Sequence, residues 1–254
     1  MSTLLSPHPA FARTDHRPWP LPATRWTWRQ SWRDLLFLHW PVPAADLRRL
    51  VPPELTVQEF GGTSGVGVVP FRMAGVMRRP LPDLPGVSAF PELNVRLYVE
   101  ADGRPGVWFL SLDATNPLAV WAARRFFHLP YVRADIAMTP DGDGVHFASQ
   151  RRGHPARFAA RYRPTGDAST AAAGTVEHWL TERYCLYARR PDGAILRNDV
   201  HHVPWPLQSA EAEVETNTML DAHGLSADGA PLCHFARRID VVVWDAERVR
   251  PVRG

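Results

Sequence analysis

The 254-residue chain contains no lysine; every one of its 29 Lys-or-Arg positions is arginine. A GC-rich genome accounts for the bias, but the chemical consequence does not depend on the cause. Arginine keeps its proton at any working pH, whereas a desolvated lysine can lose one and attack a carbonyl. No internal side chain can therefore form a Schiff base, and the only primary amine is the chain terminus.

Cysteine is nearly as scarce. Cys185 and Cys233 sit in apolar or aromatic stretches, not in a spaced framework, so the expectation is two free buried thiols in a reducing compartment. Long apolar runs are missing too. The longest, Leu35 to Val42, is too short to cross a bilayer and contains His39 and Pro41. The first residues have no apolar core flanked by basic residues, which argues against a secretory signal and for a cytoplasmic protein away from membranes. Their proline and polar content predicts a loosely held arm over 1–25 ahead of one domain over 26–254. A net charge of +3 with pI near 9.2 is too mild to imply nucleic acid, and no basic helix supports it.

What the chain does have is alternation. Glu92 to Glu100 places Leu93, Val95, Leu97 and Val99 on one face of a strand and Glu92, Asn94, Arg96 and Tyr98 on the other. Similar short runs broken by glycine and proline predict strands over 65–73, 106–112, 131–138, 145–151, 157–163, 183–187, 210–218 and 235–244. Asp102-Gly103 and Asp141-Gly142-Asp143-Gly144 read as tight turns. Helices are few: 44–51, stopped by Pro52-Pro53; 116–127, with Asn116 as N-cap and Pro117 at its first position; and 175–181. No repeat or linker divides the chain. One mainly β domain with a few packed helices is the simplest reading.

Several runs carry a resemblance. Leu36-Phe37-Leu38-His39-Trp40, Val68-Val69-Pro70-Phe71, Phe90-Pro91-Glu92-Leu93-Asn94-Val95-Arg96 and Ser111-Leu112-Asp113-Ala114 resemble the YqjF-like family. So do Leu129-Pro130-Tyr131, Glu182-Arg183-Tyr184-Cys185-Leu186-Tyr187 and the run from His201 to Leu207. They cover residues 26 to 247 in order. That family is similar in turn to the acetoacetate decarboxylase-like superfamily. Asp46 to Leu55 resembles the decarboxylases' early helix with its Val-Pro-x-x-Leu exit, and Glu92 matches a glutamate of their cavity. The resemblance implies a mainly β (α+β) fold: a closed antiparallel barrel or cone with a few short helices and an internal cavity.

It withholds the activity. The decarboxylases' catalytic lysine and the neighbouring lysine that tunes it match Tyr131 and Val132, so the engine is missing while the fold remains. The expectation is a cavity for a small carbonyl or carboxylate compound, with a non-covalent lyase or hydratase using Glu92 as proton shuttle as the alternative. The superfamily's decarboxylases are oligomers, which makes self-association an expectation as well.

Each candidate residue has a plain structural reading beside its functional one. The Glu92 face is either a solvent-facing strand face or the lining of a lumen. In a lumen, Glu92 is a general acid or base with its pKa raised by burial, Asn94 lines the site, and Arg96 clamps a carboxylate. Tyr131 either fills space at a strand start or donates a hydrogen bond to a carbonyl or oxyanion. Arg124 complements a helix dipole or supports the cavity from behind; Arg72 is a weaker cavity candidate. The arginines at 151, 152, 157, 161 and 163 read as a wet strand face, with anion or partner binding as the alternative. His39 reads as a core residue, and the adjacent His201 and His202 point apart. With no HExxH, CxxC, nucleophile elbow or complete dinucleotide loop, neither metal nor cofactor is expected.

Overall fold

The computed structural model describes residues 8–83, 88–226 and 228–249. Thirteen strands form one hydrogen-bonded sheet. They are β1 (Trp28–Val42), β2 (Thr56–Val57), β3 (Ser64–Arg78), β4 (Phe90–Ala101), β5 (Arg104–Ala114), β6 (Tyr131–Asp141) and β7 (Gly144–Arg151). Then follow β8 (Arg157–Pro164), β9 (Cys185–Arg189), β10 (Ile195–His201), β11 (Gln208–Asn217), β12 (Leu232–Val243) and β13 (Glu247–Arg248). Among the described residues three short α-helices interrupt them: α1 (Ala44–Leu47), α2 (Pro117–Ala122) and α3 (Val176–Thr181).

The pairings close on themselves twice. One ring runs β5–β6–β7–β8–β11–β12–β1–β3–β4 and returns to β5; the other runs β12–β10–β9–β5–β4–β3–β1 and returns to β12. Strands β1, β3, β4, β5 and β12 belong to both. Most pairs are antiparallel, as expected, but β5 lies parallel to both β6 and β9. Both crossovers carry a short helix.

Along the stretch where the two rings meet, the shared strands bury apolar side chains on both faces. Leu93, Val95, Leu97 and Val99 join Leu36, Leu38, Phe147 and Phe158 in one core. Leu35, Phe37, Val69, Phe71, Leu112 and Val241 form the other. The Glu92–Tyr98 face of β4 therefore turns into the second ring, not into solvent. Glu92, Asn94, Arg96 and Tyr98 are all buried, which excludes the solvent-facing reading of that face.

Strand β1 is absent from the sequence-based strands because Leu35 to Val42 shows no alternation; with both faces covered, none is needed. Strand β10 was missed because its buried positions include Arg197, Asn198 and Asp199.

Residues 1–7 of the proposed arm lie outside the described residues. Residues 8–25 make contacts with the domain. Arg17 is buried, with Nη2 3.1 Å from Oδ1 of Asp199, and Trp19 Nε1 donates to the same oxygen at 2.8 Å. Ala10 is fully buried, and His16 stacks on His201 with ring centroids 5.6 Å apart. A polar segment is held here by a buried ion pair and aromatic contacts.

Candidate functional site

Tyr131 opens β6 just after a tight chain reversal. Asn116 Oδ1 caps α2 by accepting from the amides of Leu118 and Ala119, and the helix widens into a π turn over Ala123–Phe127. His128 ends it in the left-handed region at φ 55°. The next residues run into a parallel pairing of Leu112 with Tyr131. Arg124 Nε donates to the Tyr131 carbonyl at 2.5 Å, so the predicted supporting arginine ties the helical segment to the strand through its backbone.

This arrangement sends the Tyr131 side chain to Glu92, whose neighbours across the strands are Phe71 and Ala114. The Tyr131 hydroxyl donates to Glu92 Oε2 at 2.8 Å. Glu92 is 1% exposed. Burial pushes its carboxyl up to about 8; the hydrogen bond from Tyr131 opposes that shift, and the charge of Asp113 adds to it. At neutral pH Glu92 is therefore mostly a neutral acid. Burial and the adjoining glutamate also push the Tyr131 phenol well above its ordinary value.

Asn94 lies one alternation further along β4, with Oδ1 buried and unpartnered. Arg96 follows. Its Nε donates to the Tyr98 hydroxyl at 3.2 Å, its Nη2 to the Leu180 carbonyl at 3.3 Å, and its guanidinium sits 4.9 Å from the Phe37 ring centre. No carboxylate accepts from Arg96 in these contacts. The Tyr98 hydroxyl continues to His39 Nε2 at 2.5 Å, and burial beside Arg96 pushes the His39 pKa well below the usual imidazole value. His39 is thus a core residue bonded at one nitrogen, while Nδ1 has no partner.

Arg72 does not join this group. It is exposed, with Nη2 directed at the Met138 carbonyl at 3.3 Å, because its position on β3 places it on the opposite face from Phe71.

The sequence reading did not single out Trp32 and Trp205. Both pack against the second core, their rings stack at 5.7 Å, and both indole Nε1 atoms are buried without partners. The His202-Val203-Pro204-Trp205 run marked the region, but its pairing with a tryptophan far away in sequence is a tertiary fact. Arg151 likewise leaves the predicted wet face. It is buried and bonds both oxygens of Asp113, at 2.8 and 3.1 Å. Among the described residues, no three His, Cys, Asp or Glu side chains converge as a metal site.

The two-ring sheet and the glutamate-bearing shared strand place the chain in the acetoacetate decarboxylase-like fold. An acetoacetate decarboxylase-like enzyme from Sphingomonas wittichii RW1 superposes with a TM-score of 0.62 at 15% identity, covering 89% of this chain and 94% of that one. The enduracididine biosynthesis enzyme MppR complexed with pyruvate gives 0.63 at 13% identity, covering 91% and 93%. Acetoacetate decarboxylase from Legionella pneumophila gives 0.60 at 12%, covering 93% and 94%. Within that fold, the chain belongs to the DUF2071 family of uncharacterised conserved proteins, whose profile matches residues 29–240. It is 45% identical to the uncharacterised protein YqjF of Bacillus subtilis (strain 168) over 221 residues, which span 86% of this chain and 91% of that one.

Proposed function

We propose that the interior of the ring closed by β9 and β10 binds a small carbonyl- or carboxylate-bearing compound without a covalent bond to the protein. The observation that carries this reading is the neutral Glu92 acid held by the Tyr131 hydroxyl. Together they form a proton-bearing pair at the position where the resemblance puts the decarboxylases' lysine. On the same face, Trp32 Nε1, Trp205 Nε1 and Asn94 Oδ1 are buried without partners. Such groups are rare in native interiors and call for a polar guest. Arg96, with no carboxylate among its contacts, supplies a buried positive charge for an acid group.

Native mass spectrometry of protein purified without ligand exchange tests the reading. It expects a retained small organic molecule or saturable binding of pyruvate, and no internal adduct after borohydride reduction. A borohydride-trapped internal adduct, or no binding of any keto acid, overturns it.

Catalysis is the second reading, favoured by a Glu92 pKa close to neutrality, where a carboxyl can both give and take a proton. Glu92→Gln then abolishes turnover but keeps affinity; affinity without turnover in the unaltered protein favours a binding or sensing role. The free thiols of Cys185 and Cys233 suit a reducing cytoplasm, and light scattering in solution tests the self-association that the resemblance implies.

A further inference from the structure

A concave site lies on the other face of β5. It is an open cleft of about 430 Å³ where β5 and β6 meet the chain around Arg189 and His223. Its lining includes Ser111, Arg124, Tyr131, Arg151, Arg189 and His223, and no acidic residue. Ser111 alternates with Leu112, which faces the second core, so the Ser111 side chain is turned away from the Glu92–Tyr131 interior.

Behind the cleft the polar groups form a directed chain. Arg151 is fixed by Asp113 and donates from Nη2 to Ser111 Oγ at 2.8 Å. Ser111 Oγ then lies 3.2 Å from His223 Nε2. The serine hydroxyl can accept from Arg151 and donate as well; in the tautomer in which it donates to His223 Nε2, the imidazole proton sits on Nδ1. Burial and the charge of Arg151 keep His223 neutral, pushing its pKa down to about 4. Gly224, in the left-handed region at φ 63°, ends the short turn that carries His223, and Arg49 Nη2 holds its carbonyl at 2.5 Å.

The charge balance is uneven. Asp113 neutralises Arg151, but Arg124 spends only Nε on a carbonyl, and no ion pair among the described residues engages Arg124 or Arg189. Two guanidinium charges therefore face a cleft without a counter-charge, beside a neutral imidazole. The pairing this suits is a dianion with several acceptor oxygens, and the volume leaves room for an organic body attached to it.

We propose that this cleft is a phosphate-binding site, taking the phosphate of a small phosphomonoester between Arg124, Arg189 and His223. Tyr131 is common to this cleft and the proposed carbonyl site, whereas Arg189 and His223 belong to the cleft alone, and the inference does not rest on that site.

Inorganic phosphate is the probe, titrated calorimetrically at low ionic strength into the full-length protein, with acetate in parallel. We expect saturable phosphate binding that weakens by about tenfold or more in Arg189→Gln, an exposed position whose loss leaves the fold intact. Ser111→Ala should weaken it less, and Glu92→Gln should leave it unchanged. Absence of saturable phosphate binding, or binding indifferent to Arg189→Gln, overturns the proposal. Acetate binding equally well with the same dependence on Arg189 would overturn the assignment to a dianion. Loss of phosphate binding in Glu92→Gln would place the phosphate in the carbonyl site and overturn the proposal.

Discussion

Tyr131 donates its hydroxyl proton to Oε2 of Glu92 across 2.8 Å, from the first residue of β6 to the face of β4 that looks into the second ring. Two elements brought together only by the fold thus share one buried proton-bearing contact, and its protonation has consequences for stability.

Glu92 is raised from about 4.5 in the unfolded chain to about 8 in the fold. The folded state therefore binds the extra proton between these values, and the stability it contributes is full below 4.5 and lost as pH rises through 8. Glu92→Gln, which keeps a neutral acceptor for Tyr131, should flatten the decline between pH 4.5 and 8 and raise the melting temperature most above pH 8. Histidines act in the opposite sense. His201 is lowered to about 3 and His223 to about 4, so stability present above 6.5 should fall as pH drops towards those values. Urea midpoints across pH 4 to 9 check both arms.

Tyr131→Phe removes the donor and leaves the fold otherwise filled. It should cost roughly 1–3 kcal/mol and push the Glu92 pKa further up, because the lost hydrogen bond was lowering it. Isotope-edited infrared titration of the Glu92 carbonyl stretch reads the shift directly.

Arg17→Met should loosen the docked N-terminal segment. Asp199 keeps Arg197, at 3.3 Å, so the main expected readout is faster proteolysis within residues 8–25. Asp199→Asn should be more severe, at about 3–5 kcal/mol, since it strands the buried guanidinium of Arg17 and leaves Arg197 with Glu247 alone. Thermal melts of the two variants should differ in that order.

Gly106→Ala tests the parallel junction of β5 with β9. A methyl group there would lie 2.6 Å from Cys185 Sγ and 2.8 Å from the Cys185 carbonyl. Backbone cannot yield cheaply, so a loss of roughly 1–3 kcal/mol is expected, read as a lower denaturation midpoint.

Much of the fold was legible because most strands carry their own period. The run from Leu93 to Val99 declared its two faces, and Asn116-Pro117 and Thr175 marked helix starts that the structure reproduces. Strands without a polar face were not legible. Leu35 to Val42 is buried on both sides and looks the same whether it is strand or helix, and Arg197-Asn198-Asp199 is buried by partners from distant segments. The same limit applied to the site. Periodicity put Glu92, Asn94 and Arg96 on one face, but only ring closure decided that the face was inside. Arg72 failed as a cavity candidate because its strand parity turns it away from Phe71. Arg151 was misjudged because its partner, Asp113, sits on another strand.

The strands common to both rings bind the molecule's fate together. A one-residue slip of β4 would turn Glu92, Asn94 and Arg96 into the core lined by Leu36 and Phe147, and expose nothing to water in exchange. Neither ring can be excised, or unravel first, without stripping the wall from its neighbour. The molecule should therefore melt as one indivisible unit, and inherited change in the shared strands should be constrained from two sides at once.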